Sequence, residues 1–374
     1  MTLTLPDHLQ NDLTPGAQFI FHADPRWYHV SGNMRWDTIS ALPRPDGGYY
    51  GYFTAAPLTP SNKSSPSFCA TPNTTGCGIG LAQSDDGLHW TALESPGPNS
   101  VGEMGGVCQL GSKVWMTFDA GRLFSAPSLM GPFTAEQTNF NFLTYPDGHY
   151  RGAGYPRLWG ETNTGDPDLC LITHGFGNYV GLVKRGLLGT DGVLRAGWWE
   201  ANDNLKGRAL TVRRQLPVNA SVPGGSSTSC LRQCLTAGIW IEGTLPLTKS
   251  TNSSGLWMQT SSGGWASTVD PDGVFNVGGN VIDRGQFLVG KTSARWHALV
   301  RNSWTGPTID KRGNVRVTQG AMMIEWYVEG VLSDTVYTSS VATGGFAALG
   351  DATVTAVHQL SLPEATPYMK GSEG

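Results

Sequence analysis

The sequence predicts an all-β protein of two domains, with short repeating strands over residues 1–235 and longer alternating strands over 236–374. Three observations carry this. The chain of 374 residues holds 50 glycines and 23 prolines but only 14% charged residues, so turns are frequent and the charged faces of surface helices are scarce. Its 13 tryptophans and 11 tyrosines favour strands. No amphipathic helical period of useful length interrupts the strand-like alternation. The length also exceeds what one small core serves, which is why two domains are expected.

Three segments share one layout. The first runs "DTISAL", the turn "PRPDGG" and "YYGYFTA", and closes after a Ser/Pro-rich loop with "GIGLAQSDDGLHW". The second runs "GEMGGVCQL", "GS" and "KVWMTFDAG", followed by "RLFSAPSLMGPF". The third runs "GAGYPRLW", "GETNTGDP" and "DLCLITHGF", followed by "YVGLVKRGLLGTDG". Each returns after about the length of one β-propeller blade, roughly 40–50 residues. Sequential strands joined by turns fit blades better than βαβ units. A closing segment, "GVLRAGWWEANDNLKGRALTVRRQLPV", is followed by the Ser/Gly/Cys-rich bridge "NASVPGGSSTSCLRQC", a domain boundary by composition. Beyond it, "GIWIEGTLPL", "GLWMQTSS", "RWHALVRNSW", "MMIEWYVEGVLSDTVYTSS" and "GGFAALG" predict a C-terminal β-sandwich. The expected architecture is therefore an N-terminal β-propeller, five-bladed or compressed, followed by that sandwich.

Charge narrows the function. A net charge of −4 without a basic run gives no footprint for nucleic acid. No apolar stretch approaches the roughly 20 residues of a membrane span. The start, "MTLTLPDHLQNDLTPG", lacks the order of a leader peptide. Sequons at Asn62, Asn73, Asn219 and Asn252 fit a secreted glycoprotein. Cys69 with Cys77, and Cys230 with Cys234, are spaced to close short loops, whereas Cys108 and Cys170 lie in apolar strand patterns and read as buried thiols. His22, His29 and His174 lack metal-ligand spacing and read as packing or hydrogen-bonding groups. No cofactor is expected, since the sequence has no nucleophile elbow, phosphate-cradling loop or dinucleotide fingerprint. Oligomeric state stays open.

The first repeat carries a resemblance. Tyr28-His29, Asp37, the strand Tyr49 to Phe53 and the stretch Ser84 to Trp90 stand in the order of the first blade of glycoside hydrolase family 32, the invertases and fructan hydrolases. There the pattern is Tyr-His, Trp-Met-Asn-Asp-Pro-Asn-Gly, an aromatic strand and a Ser-x-Asp-Leu-x-His-Trp end. The triplet Trp36-Asp37-Thr38 is similar to the Trp-Asp-Ser/Thr of the levansucrases of family 68, and families 43 and 62 share the propeller. "GWWEANDNLKGRALTVRRQLPV" resembles the last-blade stretch of family 32, and "IEWYVEGVLSDTVYTSS" its sandwich strand. Levansucrases lack the sandwich, so family 32 is the nearer likeness.

The resemblance implies a carbohydrate substrate, sucrose or fructan, and a nucleophilic Asp at position 37. The Asn, Pro and Gly around the family's Asp are here Trp36, Thr38 and Ser40. The family's other two acids, in Arg-Asp-Pro and Glu-Cys, have no counterpart: the corresponding stretches read "VGEMGGV" and "RGAGYPRLW". The chemistry supplies its own candidates, because cleaving a glycosidic bond takes two carboxyls flanking it. In a propeller the inner strands begin around a central pocket. Asp37 opens the inner strand of the first repeat, and Glu103 the second, where an apolar setting would keep it protonated as the acid. Arg151 and Tyr155 open the third and are candidate sugar ligands, with Trp27 and Trp36 as stacking platforms. Glu200 and Glu242, both beside tryptophans, read as structural, with Glu200 a reserve acid. Asp24 in "HADPRW" ranks below Asp37 because no strand and turn follow it, and Asp166 reads as a turn residue. The alternatives are a relative that binds sugar without cleaving it, or an inverting arabinan- or xylan-active enzyme with Asp37 as general base.

Overall fold

The computed structural model describes residues 20–22, 24–30, 37–58, 78–97, 104–118, 122–136, 157–160, 165–173, 175–176, 179–180, 182–211, 238–247, 253–270, 274–277, 280–283, 288, 290–303, 308–309, 315–316, 321–338 and 342–361. Over these residues the protein is nearly all β, with a 3-10 turn at Glu200–Leu205. It forms two compact units. Unit 1 comprises Met1–Asp119, Phe124–Ala135 and Arg157–Cys170; unit 2 comprises Ala120–Leu123, Glu136–Pro156 and Leu171–Gly374.

The strands of unit 1 are short. They are β1 (Ile20–His22), β2 (Asp37–Pro43), β3 (Tyr49–Ala55), β4 (Gly78–Ser84), β5 (His89–Leu93), β6 (Met104–Leu110), β7 (Lys113–Phe118), β8 (Arg122–Ala126), β9 (Thr134–Ala135) and β10 (Arg157–Trp159). A sheet ordered β1-β5-β4-β3-β2 corresponds to the first repeat; β2 to β5 run antiparallel to their neighbours, and β1 joins β5 in parallel. The second repeat gives β6 to β9, with β10 added in parallel beside β6 through Trp159 and Val107.

Turn chemistry sets these hairpins. Between β2 and β3, Gly47 and Gly48 adopt φ of 99° and 73°, and a side chain at Gly48 would collide with the Ser84 carbonyl. Between β4 and β5, Asp86 Oδ1 accepts the Leu88 and His89 amides, both at 2.8 Å, and Ser84 Oγ accepts the Gly87 amide at 2.8 Å. The His89 amide and ring, and then the Leu88 amide, hold the Asp86 carboxyl well below the usual range. The Ser-x-Asp-x-x-His-Trp end of the first repeat is thus a turn device, and the Trp90 indole N–H completes it by donating to the Gly87 carbonyl.

β3 is buried on both faces, as its unbroken aromatic run requires. Tyr52 enters one core with Leu42, Ile79, Leu81, Met104 and Met116. Phe53 enters another with Tyr28, Ala82 and Trp90. The buried Tyr28 hydroxyl donates to the Leu93 carbonyl at 2.6 Å and accepts the Leu81 amide at 2.9 Å, tying the segment before β2 to β4 and β5.

One expectation fails in unit 1. Cys108 and Cys170 are joined as a disulfide, with Cα atoms 6.1 Å apart, and are not free thiols. Both are buried, and Gly160 after β10 offers no side chain against Cys108, where a Cβ would stand 3.1 Å from the Cys108 Cβ. Sixty-two residues separate the two cysteines, so no local pattern announces the pairing. Cys69, Cys77, Cys230 and Cys234 lie outside the described residues.

Unit 2 opens with β11 (Leu171–Thr173), the small hairpin β12 (Gly175–Phe176) and β13 (Tyr179–Val180), β14 (Lys184–Leu188) and β15 (Leu194–Trp198). After the 3-10 turn come β16 (Lys206–Ala209), β17 (Ile239–Pro246), β18 (Ser254–Thr260), β19 (Gly263–Val269), β20 (Val274–Val277) and β21 (Asn280–Asp283). Then follow β22 (Ser293–Ser303), the hairpin β23 (Thr308–Ile309) and β24 (Val315–Arg316), β25 (Ala321–Val328), β26 (Val331–Thr338), β27 (Ala342–Leu349) and β28 (Thr353–Leu360). Two sheets result, one with the order β11-β14-β15-β26-β25-β22-β17-β28-β16 and one ordered β21-β20-β19-β18-β27. Strand alternation divides their faces. Met322, Ile324, Trp326 and Val328 of β25 join Ile239, Ile241 and Trp296 from the first sheet and Leu256, Met258 and Val269 from the second in one core.

Candidate active site

The alternate residues of the first sheet of unit 2 build a second, partly polar layer. Trp240, His297 and Tyr327 lie side by side on β17, β22 and β25 and stack, with ring centroids 5.0 and 4.9 Å apart. Trp198 meets the middle of the row edge-on, 4.6 Å from His297. Burial, with a smaller push from Lys206, holds His297 down to about 3. Next to this row the fully buried Lys184 donates to Glu325 at 2.6 Å, and burial lowers the Lys184 pKa against the pull of that carboxylate.

Every candidate acid of unit 2 is held by a cation. Arg185 Nη1 reaches both oxygens of Glu200, at 2.9 and 3.1 Å. Lys206 Nζ donates to Glu242 at 2.6 Å, and the Trp240 indole N–H adds a bond to the same oxygen at 3.1 Å. The reading of both as structural fits this geometry.

In unit 1 the sequence places Asp37 at the start of β2, and the strand begins there. Its register partner on β3 is Thr54. Thr54 is fully buried, and its Oγ1 accepts the backbone amide of Met104 at 3.1 Å. Met104 opens β6, which lies against β2 and β3. One hydroxyl therefore links the end of β3, beside the start of β2, to the start of β6. Met104 directly follows Glu103 in the chain. Glu103, Trp36, Arg151 and Tyr155 themselves lie outside the described residues.

The same end of β3 carries the Tyr-His pair. Past Ala55 the chain continues to an isolated bridge between Tyr28 and Pro57, and the His29 amide donates to the Ala56 carbonyl at 3.0 Å. His29 is 8% exposed, and its Nε2 is buried without a hydrogen-bond partner among the described residues. Trp27 is half-buried; its carbonyl accepts the Leu58 amide at 2.8 Å, and the Arg26 guanidinium sits 5.9 Å from its ring centroid. Asp24 is occupied by Arg26 and by its own turn, since its carbonyl accepts the Trp27 and Tyr28 amides. Asp166 accepts the Asp168 amide at 2.9 Å, as a turn residue does. His22 is exposed, and His174 lies outside the described residues.

Thr54 is the functional candidate that motif reading misses, and His29, quoted in the Tyr-His pair, is read there only as a packing or hydrogen-bonding group. A threonine ending an aromatic strand looks like ordinary β propensity. Only the register shows that it faces Asp37 along the ladder and bonds across to β6.

No family model matches the sequence, and no curated protein matches it. Solved structures do. A family 32 β-fructofuranosidase of Bombyx mori is 12% identical, covers 91% of this chain and 69% of its own, and superposes with a TM-score of 0.53. A sucrose-6-phosphate hydrolase of Lactobacillus gasseri is 13% identical, with coverage of 93% and 69% and a TM-score of 0.53. The protein thus has the fold of a glycoside hydrolase. More narrowly, the likeness to family 32 seen in the first repeat is matched by a shared fold over most of the chain.

Proposed function

We propose that the protein is a glycoside hydrolase acting on β-fructosides, sucrose or fructans, by double displacement. In this reading the first two repeats are propeller blades, β17 to β28 around their shared core form the C-terminal sandwich, and a domain boundary near residues 235 and 236 leaves β11 to β16 with the propeller. The observation that carries it is the Asp37–Thr54–Met104 link. It supports a site in which a carboxylate at the mouth of β2 and one just before β6 flank a single bond.

Asp37 attacks the anomeric carbon while Glu103 gives its proton to the departing oxygen. Water then attacks the glycosyl–Asp37 ester as Glu103 takes the proton back, which restores both groups. The geometry required for retention is a carboxyl separation of about 5–5.5 Å, against roughly 6.5–9.5 Å for inversion. Trp27, Trp36, Arg151 and Tyr155 are the proposed sugar ligands. The Cys108–Cys170 disulfide supports reading the protein as secreted, since such bonds persist in oxidising compartments.

A second reading is favoured by one observation: no Arg-Asp-Pro or Glu-Cys occurs in the sequence. A degenerate relative would keep sugar binding and lose cleavage. Sugar release from sucrose, inulin, levan, arabinan and nitrophenyl arabinoside separates the two. Release from the fructosides that disappears in Asp37→Asn is the expected result. Sugar binding by calorimetry with no release from any substrate would replace the hydrolase with the binder.

A further inference from the structure

In the first sheet of unit 2, β15 and β16 flank the same five strands, β26-β25-β22-β17-β28, from opposite sides. Only residues 199–205 join them in the chain. We infer that β15, the 3-10 turn and β16 form a strap that crosses the face of these five strands and locks both of their edges, so that the two edges open together. The inference is independent of the hydrolase reading, and its test needs no substrate.

Backbone bonds close each edge. At β26, Gly197 pairs with Val331, and the Trp198 amide donates to the Gly330 carbonyl at 2.7 Å. At β28, Lys206 pairs with Leu360 and Ala209 with His358. There the Leu210 amide donates to the Val357 carbonyl and the Ser361 amide to the Leu205 carbonyl, both at 2.8 Å. An uncovered edge strand presents a row of unpaired donors and acceptors, and one strap covers two such rows.

The two ends of the strap are shaped for this contact. Gly207 lets β16 approach β28, since a Cβ there would stand 2.7 Å from the Gln359 carbonyl oxygen. At the other end, Glu329 takes φ of 51° in the turn that presents Gly330, a conformation costly for a residue with a side chain. Its carboxylate is held at 2.6 Å by both the Arg295 amide and the Lys291 ammonium.

Between the edges the strap is pinned to the face it crosses. The Trp198 ring lies 4.9, 4.6 and 5.2 Å from those of Trp240, His297 and Tyr327, which belong to β17, β22 and β25. Its indole N–H donates to Asp203 in the 3-10 turn at 2.8 Å. Asn202 is buried, and its Nδ2 donates to the Val183 carbonyl at 2.7 Å. Lys206 then reaches Glu242 on β17. β26 and β28 lie four strand spacings apart, roughly 19 Å. A short connection held at each step carries a displacement at one edge to the other.

Hydrogen exchange of the full chain, read by mass spectrometry, compares wild type with Trp198→Ala and Gly207→Ala. Each variant is expected to speed exchange about tenfold, equivalent to about 1.4 kcal/mol, in peptides from both β26 and β28. Peptides from β18 and β19, in the other sheet, should keep their wild-type rates. A variant that speeds exchange only at its own edge, or in all of unit 2 alike, overturns the strap, as does unchanged exchange in both. If Trp198→Ala does not fold, Gly207→Ala decides alone, because its lesion lies at β28 and its readout at β26. Wild type supplies a further check: the edge amides of β26 and β28 should share one denaturant slope, and two different slopes would overturn the inference.

Discussion

The two units pair their carboxylates over different ranges, mostly across the chain in unit 2 and mostly within turns in unit 1. In unit 2, Glu200, Glu242, Glu325 and Glu329 each meet a lysine or arginine, and Asp191 meets Arg195. Unit 1 pairs its turn acids with near neighbours, Asp24 with Arg26, Asp46 with Arg44 and Asp86 with His89, and leaves Glu94 exposed. Paired acids hold strands together, and an acid that a neighbouring cation already satisfies is poorly suited to donate a proton or attack carbon. The pairing with Arg185 therefore counts against Glu200 as the acid, and the proposed site stays at the mouth of β2, with the Thr54–Met104 bond as its support.

The largest effect that would sharpen this contrast is Asp37→Asn. Loss of a nucleophile lowers kcat by on the order of 10⁴ or more, and sugar release should fall that far with an unchanged melting temperature. A comparable fall in Tm would instead make Asp37 structural, like the acids of unit 2. Next comes the buried pair. Glu325→Gln removes the carboxylate that balances the buried Lys184 ammonium, leaving its bond to the Leu182 carbonyl, and should cost about 3–5 kcal/mol in denaturant unfolding. Replacing both partners with apolar residues should restore much of that loss, which a merely crowded site would not do.

Thr54→Val should be smaller. It strands the buried Met104 amide, at about 1–3 kcal/mol, and should also lower kcat if the two strand mouths must stay in register. Stability lost without any change in kcat would confine Thr54 to packing. His297 adds a pH signature. Its pKa falls from 6.5 to about 3 on folding, so the unfolded chain takes up the proton first. Stability should be complete above pH 6.5 and decline as pH drops toward about 3, and His297→Phe should flatten that slope in acid-unfolding titrations. The smallest effect is expected from Glu200→Gln. An exposed pair with Arg185 is worth at most about 1 kcal/mol, and sugar release should not change. A large loss of release would return Glu200 to the role of acid.

Much of the fold was legible because its signals are local. The alternation of β25 and the glycines at 47, 48 and 111 show where strands turn inward and where hairpins close. The start of β2 at Asp37 followed from the turn and aromatic strand behind it. What sequence could not show depends on register and on distance along the chain. Cys108 and Cys170 look like apolar strand residues until β6 and the segment after β10 are set side by side. Thr54 gains its position only through its pairing with Asp37 and its bond to Met104. The placement of β15 and β16 on opposite sides of the same five strands shows only in the strand order.

The central claim is that the carboxylate of Asp37 carries the glycosyl group. Rapid acid quench during turnover of a fructoside, followed by proteolysis and mass spectrometry, tests it directly. The account predicts a hexosyl adduct on the peptide containing Asp37, absent from Asp37→Asn. An adduct on another carboxylate, or turnover with inverted product and no adduct, would contradict it.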